Sequence, residues 1–375
     1  MIEADELAAW VRLLAAPGIG RESARKLLAC YGSPQAVLAA STASRAQVVG
    51  PAAAHALATS SAQIDALVAA TQAWLGGIDA DVDADTSPRA VVTLGDPLYP
   101  AALLQTADPP LLLYAQGRTE LLASTSLAIV GSRNPTPQGG ENARAFARHL
   151  SDAGLAVVSG LALGIDAAAH EGALQGAGGT IAVVGTGLDR VYPKRHLELA
   201  HRIARDGLLL SEYPLGTPPL AGHFPTRNRI IAGLARGTLV VEAALQSGSL
   251  ITARLASEAG RDVFAIPGSI HSPLSRGCHA LIKQGAKLVE TANDILDELG
   301  WAAPRAPQPT ESGGAEANLS DPLLEALGHD PVGLEALVAR TGWSASALNI
   351  RLLEMELTGS VARLPGQLFQ RIAQG

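Results

Sequence analysis

The sequence is short of several features, and each shortage argues against a class of protein. Only two cysteines, Cys30 and Cys278, occur in 375 residues, so neither a disulfide framework nor a zinc site is indicated and no metal site is expected. Both are expected to be ordinary thiols, buried or partly buried. No apolar run reaches the ~18 residues of a membrane span, and the opening MIEADELAAWVRLL carries acids where a signal peptide carries bases. We therefore expect a cytoplasmic protein with no membrane partner.

Charge is also scarce and unevenly distributed. Only 17% of the residues are charged, and the formal net charge is −7. An acidic total disfavours nucleic acid as a partner, because lysine and arginine drive phosphate binding. Residues 121–300, however, carry 16 basic and 15 acidic side chains, whereas residues 1–120 carry 7 and 12 and residues 301–375 carry 5 and 8. A local basic groove is therefore possible in the middle of the chain.

Composition divides the chain into three folded parts. Residues 1–78 contain short alanine- and leucine-rich helices broken by PGIG and YGSP, which predicts a small all-helical domain. The acidic DADVDADTSP follows, at 79–88, as a linker into the second domain, residues 79–300. From Leu127 onward, apolar strands that end in glycine alternate with amphipathic helices. This α/β pattern predicts an extended Rossmann-like fold with a doubly wound, mostly parallel sheet.

The C-terminal part begins with a linker and ends with a third domain. Residues 301–318 are rich in Pro, Gly and Ser without periodicity and are typical of a flexible linker. Residues 319–375 predict three helices followed by a hairpin, SVARLPGQLFQR, which is the order of a winged helix. The predicted recognition helix, ALNIRLLEMELTG, contains one arginine, Arg351, and two acidic residues, Glu354 and Glu356. We therefore expect this helix to contact protein or to have a structural role rather than to bind in a DNA groove.

Glycine loops follow several of the predicted strands. Ligands of open α/β sheets lie beyond the carboxyl ends of the strands, where glycine turns and helix N-termini expose N–H groups. The segments IVGSRNPTPQGG, VSGLALGID and EAALQSGSLITARLA occupy such positions, and the last has the hydroxyl groups of an anion nest. The residues expected to face a ligand are Gly131, Ser132, Arg133, Gly160, Ser247, Gly248, Ser249, Thr252 and Arg254.

A second cluster of polar residues lies in HFPTRNRIIAGLA. Arg227, Asn228 and Arg229 stand immediately before an apolar run, and guanidinium groups are poor choices for a helix that only packs, because buried cations need partners. Phe224, one of four phenylalanines, precedes them. An aromatic ring beside cations suits a nucleobase stacked on the ring while arginines hold the backbone. The alternative for Phe224 is a core residue.

Seven sequence motifs follow one another in order over about residues 91–300. They are IVGSRNPTPQG, VVSGLALGIDAAAHEGAL, TIAVVGTGLDRVYP, SEYPLGTPP, HFPTRNRIIAGLA, VVEAALQSGSLITARLASEAGRDVFAIPGSI and RGCHALIKQGAKLV. Together they resemble the DprA family of DNA processing proteins, also called Smf. Two departures are His196 after YPKR and His279 after RGC, where we expect asparagine in the family. They weaken the resemblance at those two positions only.

The resemblance implies a function and a set of site residues. DprA proteins bind single-stranded DNA, help to load the recombinase RecA, and protect incoming DNA in natural transformation, as homodimers and without a cofactor or catalysis. Residues implied to line the DNA channel are Arg133, Phe224, Arg227, Asn228, Arg229 and Ser247 to Ser249. Lys194 and Arg195 are either additional phosphate contacts or a solvated surface.

The PGIG turn near the N-terminus resembles helix-hairpin-helix or SAM-like modules. The amides of such a turn can grip a phosphate, and Arg21, Arg25 and Lys26 come just after it. The same hairpin often only packs, and the acidic balance of residues 1–120 weighs against DNA contact.

Two other classes of function remain open. The lysine-decarboxylase-like phosphoribohydrolases share this type of sheet and place a catalytic glutamate near the glycine loop, whereas here the nearest carboxylate downstream of the loop is Glu258. Asp166 and His170, four residues apart, could form an acid/base pair, although a helix cap and a structural histidine are favoured. No Walker A motif is present. The third class is an adaptor that binds only proteins.

Overall fold

The structure is a computed structural model that describes residues 2–59, 61–77, 87–301, 321–328 and 331–372. The predicted linker at 301–318, apart from Trp301, lies outside these residues, as does most of the acidic segment at 79–88. No helix in the described ranges is both long enough and apolar enough to cross a membrane. Cys278 is buried as expected, but the expectation for Cys30 is wrong, because it is exposed.

The N-terminal region is helical, as the sequence predicts. Its helices are α1 (Ala4–Ala15), α2 (Arg21–Tyr31), α3 (Pro34–Ala39), α4 (Thr42–Val49), α5 (Pro51–Ala58) and α6 (Ala62–Leu75). Gly32, with a φ of +83°, ends α2, and the Ser33 hydroxyl then accepts the Ala36 amide to start α3, with Pro34 in its first turn. The region packs on the sheet through side chains such as Val11 and Leu27, which share a core with Val91 and Tyr114.

The described residues of the central part form a nine-stranded sheet. Its strands are β1 (Arg89–Thr93), β2 (Leu112–Gly117), β3 (Ser126–Val130), β4 (Ala156–Ser159), β5 (Thr180–Val184), β6 (Leu208–Ser211), β7 (Gly237–Val240), β8 (Asp262–Ala265) and β9 (Lys287–Leu288). The helices are α7 (Ala101–Leu104), α8 (Pro137–Asp152), α9 (Ile165–Ala173), α10 (Leu197–Asp206), α11 (His223–Leu234), α12 (Ser249–Glu258), α13 (Arg276–Lys283) and α14 (Ala292–Glu298). Two short 3₁₀ helices lie at Thr119–Ala123 and Lys194–His196.

Strand order in the sheet is β1-β2-β6-β5-β4-β3-β7-β8-β9. The pairs β1–β2 and β2–β6 are antiparallel, and the remaining pairs are parallel. In β3, Leu127 and Ile129 enter one core while Ala128 and Val130 enter another, because side chains alternate between the two faces of a strand. Both faces are therefore covered, which explains the continuous apolar strands and confirms the predicted fold class.

The C-terminal residues form helices and a hairpin in the predicted order. The elements are α15 (Pro322–Leu327), β10 (Val332–Gly333), α16 (Leu334–Thr341), α17 (Ala345–Leu357), β11 (Val361–Leu364) and β12 (Leu368–Arg371). The sequence does not predict the two-residue strand β10, which pairs with β12. Leu337, Leu348 and Leu352 are among the buried side chains of a separate small core.

Candidate nucleic-acid interface

A crevice forms where the strand order reverses. Strands β3, β4, β5 and β6 follow one another in one direction, whereas β7 lies on the other side of β3. The connections after β3 and β7 therefore leave the sheet edge in opposite directions, which opens a crevice at their carboxyl ends. The sequence-predicted loops after both strands end at this crevice.

Gly131 allows the loop after β3 to lie close to its neighbours. A Cβ atom at Gly131 would be 2.7 Å from the Ile165 side chain and 3.0 Å from the Glu242 carbonyl oxygen. The Ser132 amide donates to that carbonyl at 2.7 Å, and the Ile165 amide donates to the Ser132 carbonyl at 3.1 Å. These bonds join the ends of β3 and β7 to the start of α9, so the floor of the crevice is fixed by backbone.

The crevice contains a cavity of about 700 Å³. Loops after β3, β4 and β7 and the first turns of α11 form its wall, so the predicted convergence of glycine loops is present. Ten of the sequence-predicted site residues line it: Gly131, Ser132, Arg133, Phe224, Arg227, Asn228, Ser247, Gly248, Ser249 and Thr252.

One rim of the cavity combines a cation with two aromatic rings. The Arg133 guanidinium lies 6.0 Å from the centroid of the Phe224 ring, and Tyr192 lies 5.5 Å from that ring at an angle of 33°. Arg133 and Tyr192 are exposed, and Phe224 is partly exposed. Phe224 is therefore not a core residue. Arg133 forms no ion pair with a described residue, so its charge is available to a ligand.

The opposite rim carries hydroxyl and amide groups. Ser247 Oγ and Ser249 Oγ are 2.6 Å apart, and the Ser249 amide faces Ser247 Oγ at 3.3 Å. The amides of Leu250 and Ile251 donate to the carbonyl groups of Ser247 and Gly248. The first-turn amides of α12 are thus partly engaged, and the predicted anion nest stays a prediction that depends on the hydroxyl groups of Ser247 and Ser249.

Arg227 differs from Arg133 because it is buried. Only 4% of Arg227 is exposed, and its Nη1 donates to the Val183 carbonyl at the end of β5. The guanidinium fills the space that a side chain at Gly160 would occupy. Burial lowers the pKa of Arg227 to about 10, opposed by the nearby Asp166, so the group stays cationic at neutral pH. Arg227 places a fixed positive charge below the cavity rather than a mobile one at its rim.

Asp166 is the one carboxylate that lines the cavity among the described residues. Burial raises its pKa, while Arg227 and the amides of Ala162 and Gly160 act in the opposite direction. Its Oδ2 accepts from the Gly160 amide at 3.1 Å and from the Ala162 amide at 3.3 Å. The carboxylate therefore holds the loop after β4 in place.

His170 does not pair with Asp166. It is fully buried, and burial lowers its pKa to about 3, so it is neutral at pH 7. The Leu161 amide donates to Nε2 at 3.3 Å, and Nδ1 is 2.7 Å from Thr180 Oγ1, which donates to the Val157 carbonyl. This chain of hydrogen bonds supports the interpretation of His170 as a structural histidine.

Arg229 does not line the cavity, so its expected place at this rim is wrong. It leaves α11 on another side and forms ion pairs with Asp108 and Glu212, with 13% of its side chain exposed. Buried guanidinium groups require such partners, and the sequence gives no sign of which acids supply them. Arg254 is also outside the cavity, 70% exposed and 3.6 Å from Glu258.

Lys194, Arg195 and Gly160 lie next to the cavity but not in its wall. Lys194 and Arg195 are exposed, follow Tyr192 by two and three residues, and form no ion pair within the described part of the chain. His196 Nδ1 lies 3.0 Å from the Leu161 carbonyl, which ties this segment to the loop after β4. Gly160 contributes space for Arg227 rather than a ligand contact.

Sequence reasoning missed Tyr192 and Glu242 at this edge. Tyr192 gives a usable signal, since it is an aromatic two residues before Lys194 in a glycine- and proline-rich loop. Glu242 is the second residue after β7, and its carboxylate accepts hydrogen bonds from the Thr136 amide at 2.9 Å and the Thr136 hydroxyl at 2.6 Å. It therefore fixes the start of α8 and does not line the cavity.

The fold agrees with comparisons to known proteins. A model of the family described as DNA recombination-mediator protein A matches residues 90–300, and a model of the DprA winged helix domain matches residues 302–367. The chain belongs to the DprA family. The match to the winged helix domain also confirms the predicted nature of the C-terminal part.

Several DprA-family relatives are similar over long segments. Protein Smf of Escherichia coli is 45% identical over 275 residues, covering 72% of this chain and 74% of its own. The DNA processing protein DprA of Streptococcus pneumoniae is 53% identical over 203 residues, covering 54% and 72%. Its crystal structure aligns with a TM-score of 0.67 at 40% identity, covering 78% of this chain and 97% of that one.

A DprA from Helicobacter pylori aligns with a TM-score of 0.52 at 33% identity, covering 57% of this chain and 97% of that one. That structure is described as showing a single-stranded DNA binding mode. A member of the same family is thus described as binding single-stranded DNA. The candidate site in this chain combines cations with aromatic rings.

Proposed function

We propose that this protein binds single-stranded DNA in the crevice between β3 and β7. The observation that carries the proposal is Arg133, exposed and without an ion pair to any described residue, over the partly exposed Phe224 at the rim of a cavity lined by hydroxyl groups, with Tyr192 beside the ring. A guanidinium group can hold a phosphate while an aromatic ring receives an unstacked base. Bases are available for such stacking in a single strand and not in a duplex.

Binding is expected to depend weakly on base sequence. The cavity offers stacking surfaces and phosphate donors, and such contacts carry little information about bases. By analogy with the DprA family, we further propose that the protein acts on incoming DNA in natural transformation and recombination, protects it, and passes it to RecA. On this proposal the protein works in the cytoplasm as a homodimer without a cofactor.

We infer a binding role rather than catalysis from the state of the nearby titratable groups. Asp166 is engaged by two amides, Glu242 by Thr136, and His170 is fully buried. A phosphoribohydrolase needs a carboxylate or histidine that can reach its substrate and exchange a proton. Each of these three groups has a structural partner, so the cavity favours binding of DNA over cleavage of a nucleoside monophosphate.

Two variants with different signatures test the proposal. Arg133→Ala should weaken binding of oligo-dT and reduce the slope of log affinity against log salt by about 0.7, the value for one phosphate contact of a single strand. Phe224→Ala should weaken binding by about 1–3 kcal/mol through lost stacking and leave the salt slope unchanged. Both are measured by fluorescence anisotropy titrations at several salt concentrations.

Arg254→Ala is the matched control, because it removes an exposed arginine that lies outside the cavity. It should bind as the wild type does. Absence of oligo-dT binding by the wild type would support the adaptor alternative, and release of free base from a nucleoside monophosphate would support the enzyme.

A further inference from the structure

Two arginines that follow the PGIG turn share one acidic residue of the central part, Asp108. Arg21 Nε lies 2.8 Å from Asp108 Oδ2, and Arg25 Nη1 lies 2.5 Å from Asp108 Oδ1. Arg21 and Arg25 are one turn apart on α2, so they lie on the same side of the helix. Lys26, the third cation of this segment, instead pairs with Glu22 on its own helix.

Asp108 also belongs to a second set of ion pairs. Arg229 Nε is 3.2 Å from Asp108 Oδ2, and Arg229 Nη2 pairs with both oxygens of Glu212. Arg21 Nη1 is 3.5 Å from Glu212 Oε2. Arg21, Arg25, Asp108, Glu212 and Arg229 therefore form one network, which we call the interdomain cluster. It links α2 to α11.

The interdomain cluster is partly removed from water, so its ion pairs are screened less than pairs at the surface. Glu212 and Arg229 side chains are 11% and 13% exposed, while Asp108 is 30% exposed. Burial raises the pKa of Asp108, but Arg229, Arg25 and Arg21 outweigh it and bring the pKa below its ordinary value. Asp108 is thus ionised at neutral pH and shared by three guanidinium groups.

The start of α11 is held by His223, whose ring stacks on Tyr213 at 4.0 Å and whose Nδ1 lies 3.2 Å from the Gly185 carbonyl oxygen. The helix begins after Gly222 without a side-chain cap, and its first turns carry Phe224 and Asn228, which line the cavity. Arg227 fixes one side of the helix to the Val183 carbonyl, and Arg229 fixes another side to the interdomain cluster. The two arginines hold α11 beyond His223, so both contribute to the rotation of the helix about its axis and to the position of the Phe224 ring.

We infer that the N-terminal helical region is a positioning element of the DNA site: through Asp108, Arg21 and Arg25 of α2 hold Arg229 and set the orientation of α11. This inference rests on the proposed function and extends it to a helix whose two arginines lie 87 and 83 residues before Asp108 in the sequence. It also assigns Arg21 and Arg25 a role different from the phosphate contact that a helix-hairpin-helix turn suggests.

Asp108→Asn separates the two roles because they predict changes of opposite sign. If Arg21 and Arg25 contact phosphate, removal of a negative charge beside them should tighten oligo-dT binding and steepen its salt dependence. If the interdomain cluster positions α11, the same variant should weaken binding at least fivefold, with an unchanged salt slope, because no phosphate contact is lost. We expect the second result.

A double-mutant cycle distinguishes positioning from a general loss of stability. In the Phe224→Ala background, Asp108→Asn should change affinity less than twofold, since the ring that it displaces is already absent. Additive effects of the two substitutions would overturn the inference. Asp108→Glu should recover part of the wild-type affinity. Circular dichroism at the assay temperature checks that each variant is folded.

Lys26→Ala is the matched control on α2, since it removes a cation of the same helix that is not in the interdomain cluster. It should leave affinity unchanged. Arg25→Gln provides an independent variant should Asp108→Asn fold poorly, and it should weaken binding with an unchanged salt slope. If the wild type binds oligo-dT and neither Asp108→Asn nor Arg25→Gln weakens binding, the inference fails while the proposed function stands. If the wild type does not bind, the proposed function itself fails.

Discussion

Arg227 and Arg229 are two residues apart on α11, and their guanidinium groups anchor the helix to different neighbours. Arg227 reaches the carbonyl end of β5 beneath the cavity, and Arg229 reaches Asp108 and Glu212. Residues two apart on a helix point about 200° apart at 3.6 residues per turn. Two arginines that are close together in the sequence therefore belong to two different interfaces.

Replacement of Arg227 should lower the stability of the fold more than it removes direct contacts with DNA. Arg227→Met retains volume but leaves the Val183 carbonyl without its donor and Asp166 without its neighbouring cation, so the free energy of unfolding should fall by about 1–3 kcal/mol. Asp166 has a raised folded-state pKa, so its contribution to stability is present at low pH and is lost as pH rises through that pKa.

Loss of the guanidinium raises the pKa of Asp166 further, so the stability deficit of Arg227→Met should grow as the pH rises above 3.8, the ordinary pKa of an aspartate. Urea unfolding at several pH values measures it. A deficit that shrinks as the pH rises would contradict this view of the Asp166 environment.

His170 predicts a pH dependence of the opposite sign. Its folded-state pKa is about 3, against an ordinary value of 6.5, so its contribution to stability is present above pH 6.5 and is lost as pH falls toward 3. Relative to His170→Gln, the wild type should lose up to about 1.4 kcal/mol per pH unit in this window. Urea unfolding of both proteins at several pH values gives the difference, and equal pH profiles would refute a buried neutral imidazole.

At the scale of elements, the crossing of α8 and α9 depends on a glycine. A Cβ atom at Gly172 would overlap the Arg144 carbonyl group, with the Arg144 Cα at 3.0 Å. The backbone of α8 therefore lies directly on the surface of α9. This contact fixes α9, whose first turn carries Asp166 and adjoins the cavity.

Gly172→Ala should therefore destabilise the protein by about 1–3 kcal/mol, because backbone atoms cannot move aside as a flexible side chain can. Gly140→Ala on α8 is the matched control, since a Cβ atom there meets nothing within 4 Å, and it should stabilise by about 0.5–1 kcal/mol. Thermal and urea unfolding compare the two. Equal effects of the two substitutions would show that α8 and α9 do not cross as closely as the structure describes.

Across the whole molecule, the crevice and the recognition helix of the winged helix differ in whether their cations are paired. The net charge is −7, yet Arg133, Lys194 and Arg195 are exposed at or beside the cavity and have no ion-pair partner among the described residues. In α17, by contrast, Arg351 pairs with Asp321 and Glu354, each at 2.7 Å. The recognition helix of the winged helix therefore presents no unpaired arginine to phosphate.

Arg351→Ala should leave oligo-dT affinity within twofold of the wild type and its salt slope unchanged. The reason is that the charge of Arg351 is already used by Asp321 and Glu354. Anisotropy titrations beside Arg133→Ala, which removes a cation of equal charge, provide the comparison. A salt slope reduced by about 0.7 would instead place a phosphate on α17.

The sequence by itself determined the sheet, its alternation with helices, the winged helix and the loops of the crevice. Their signals are local: apolar strands buried on both faces read as continuous runs, and glycines mark the turns at their ends. Gly131, Ser132 and Ser247 could therefore be placed at one edge without coordinates, and the motifs at this edge also indicated the family.

Only the tertiary structure decided what each charged side chain does. Arg229 meets Asp108 across 121 residues, and Arg133 lies over Phe224 across 91, so no local pattern distinguishes the arginine that is neutralised from the one left free. The physical reason is that burial and ion pairing are properties of three-dimensional neighbours, whereas periodicity and turn chemistry are properties of the chain itself.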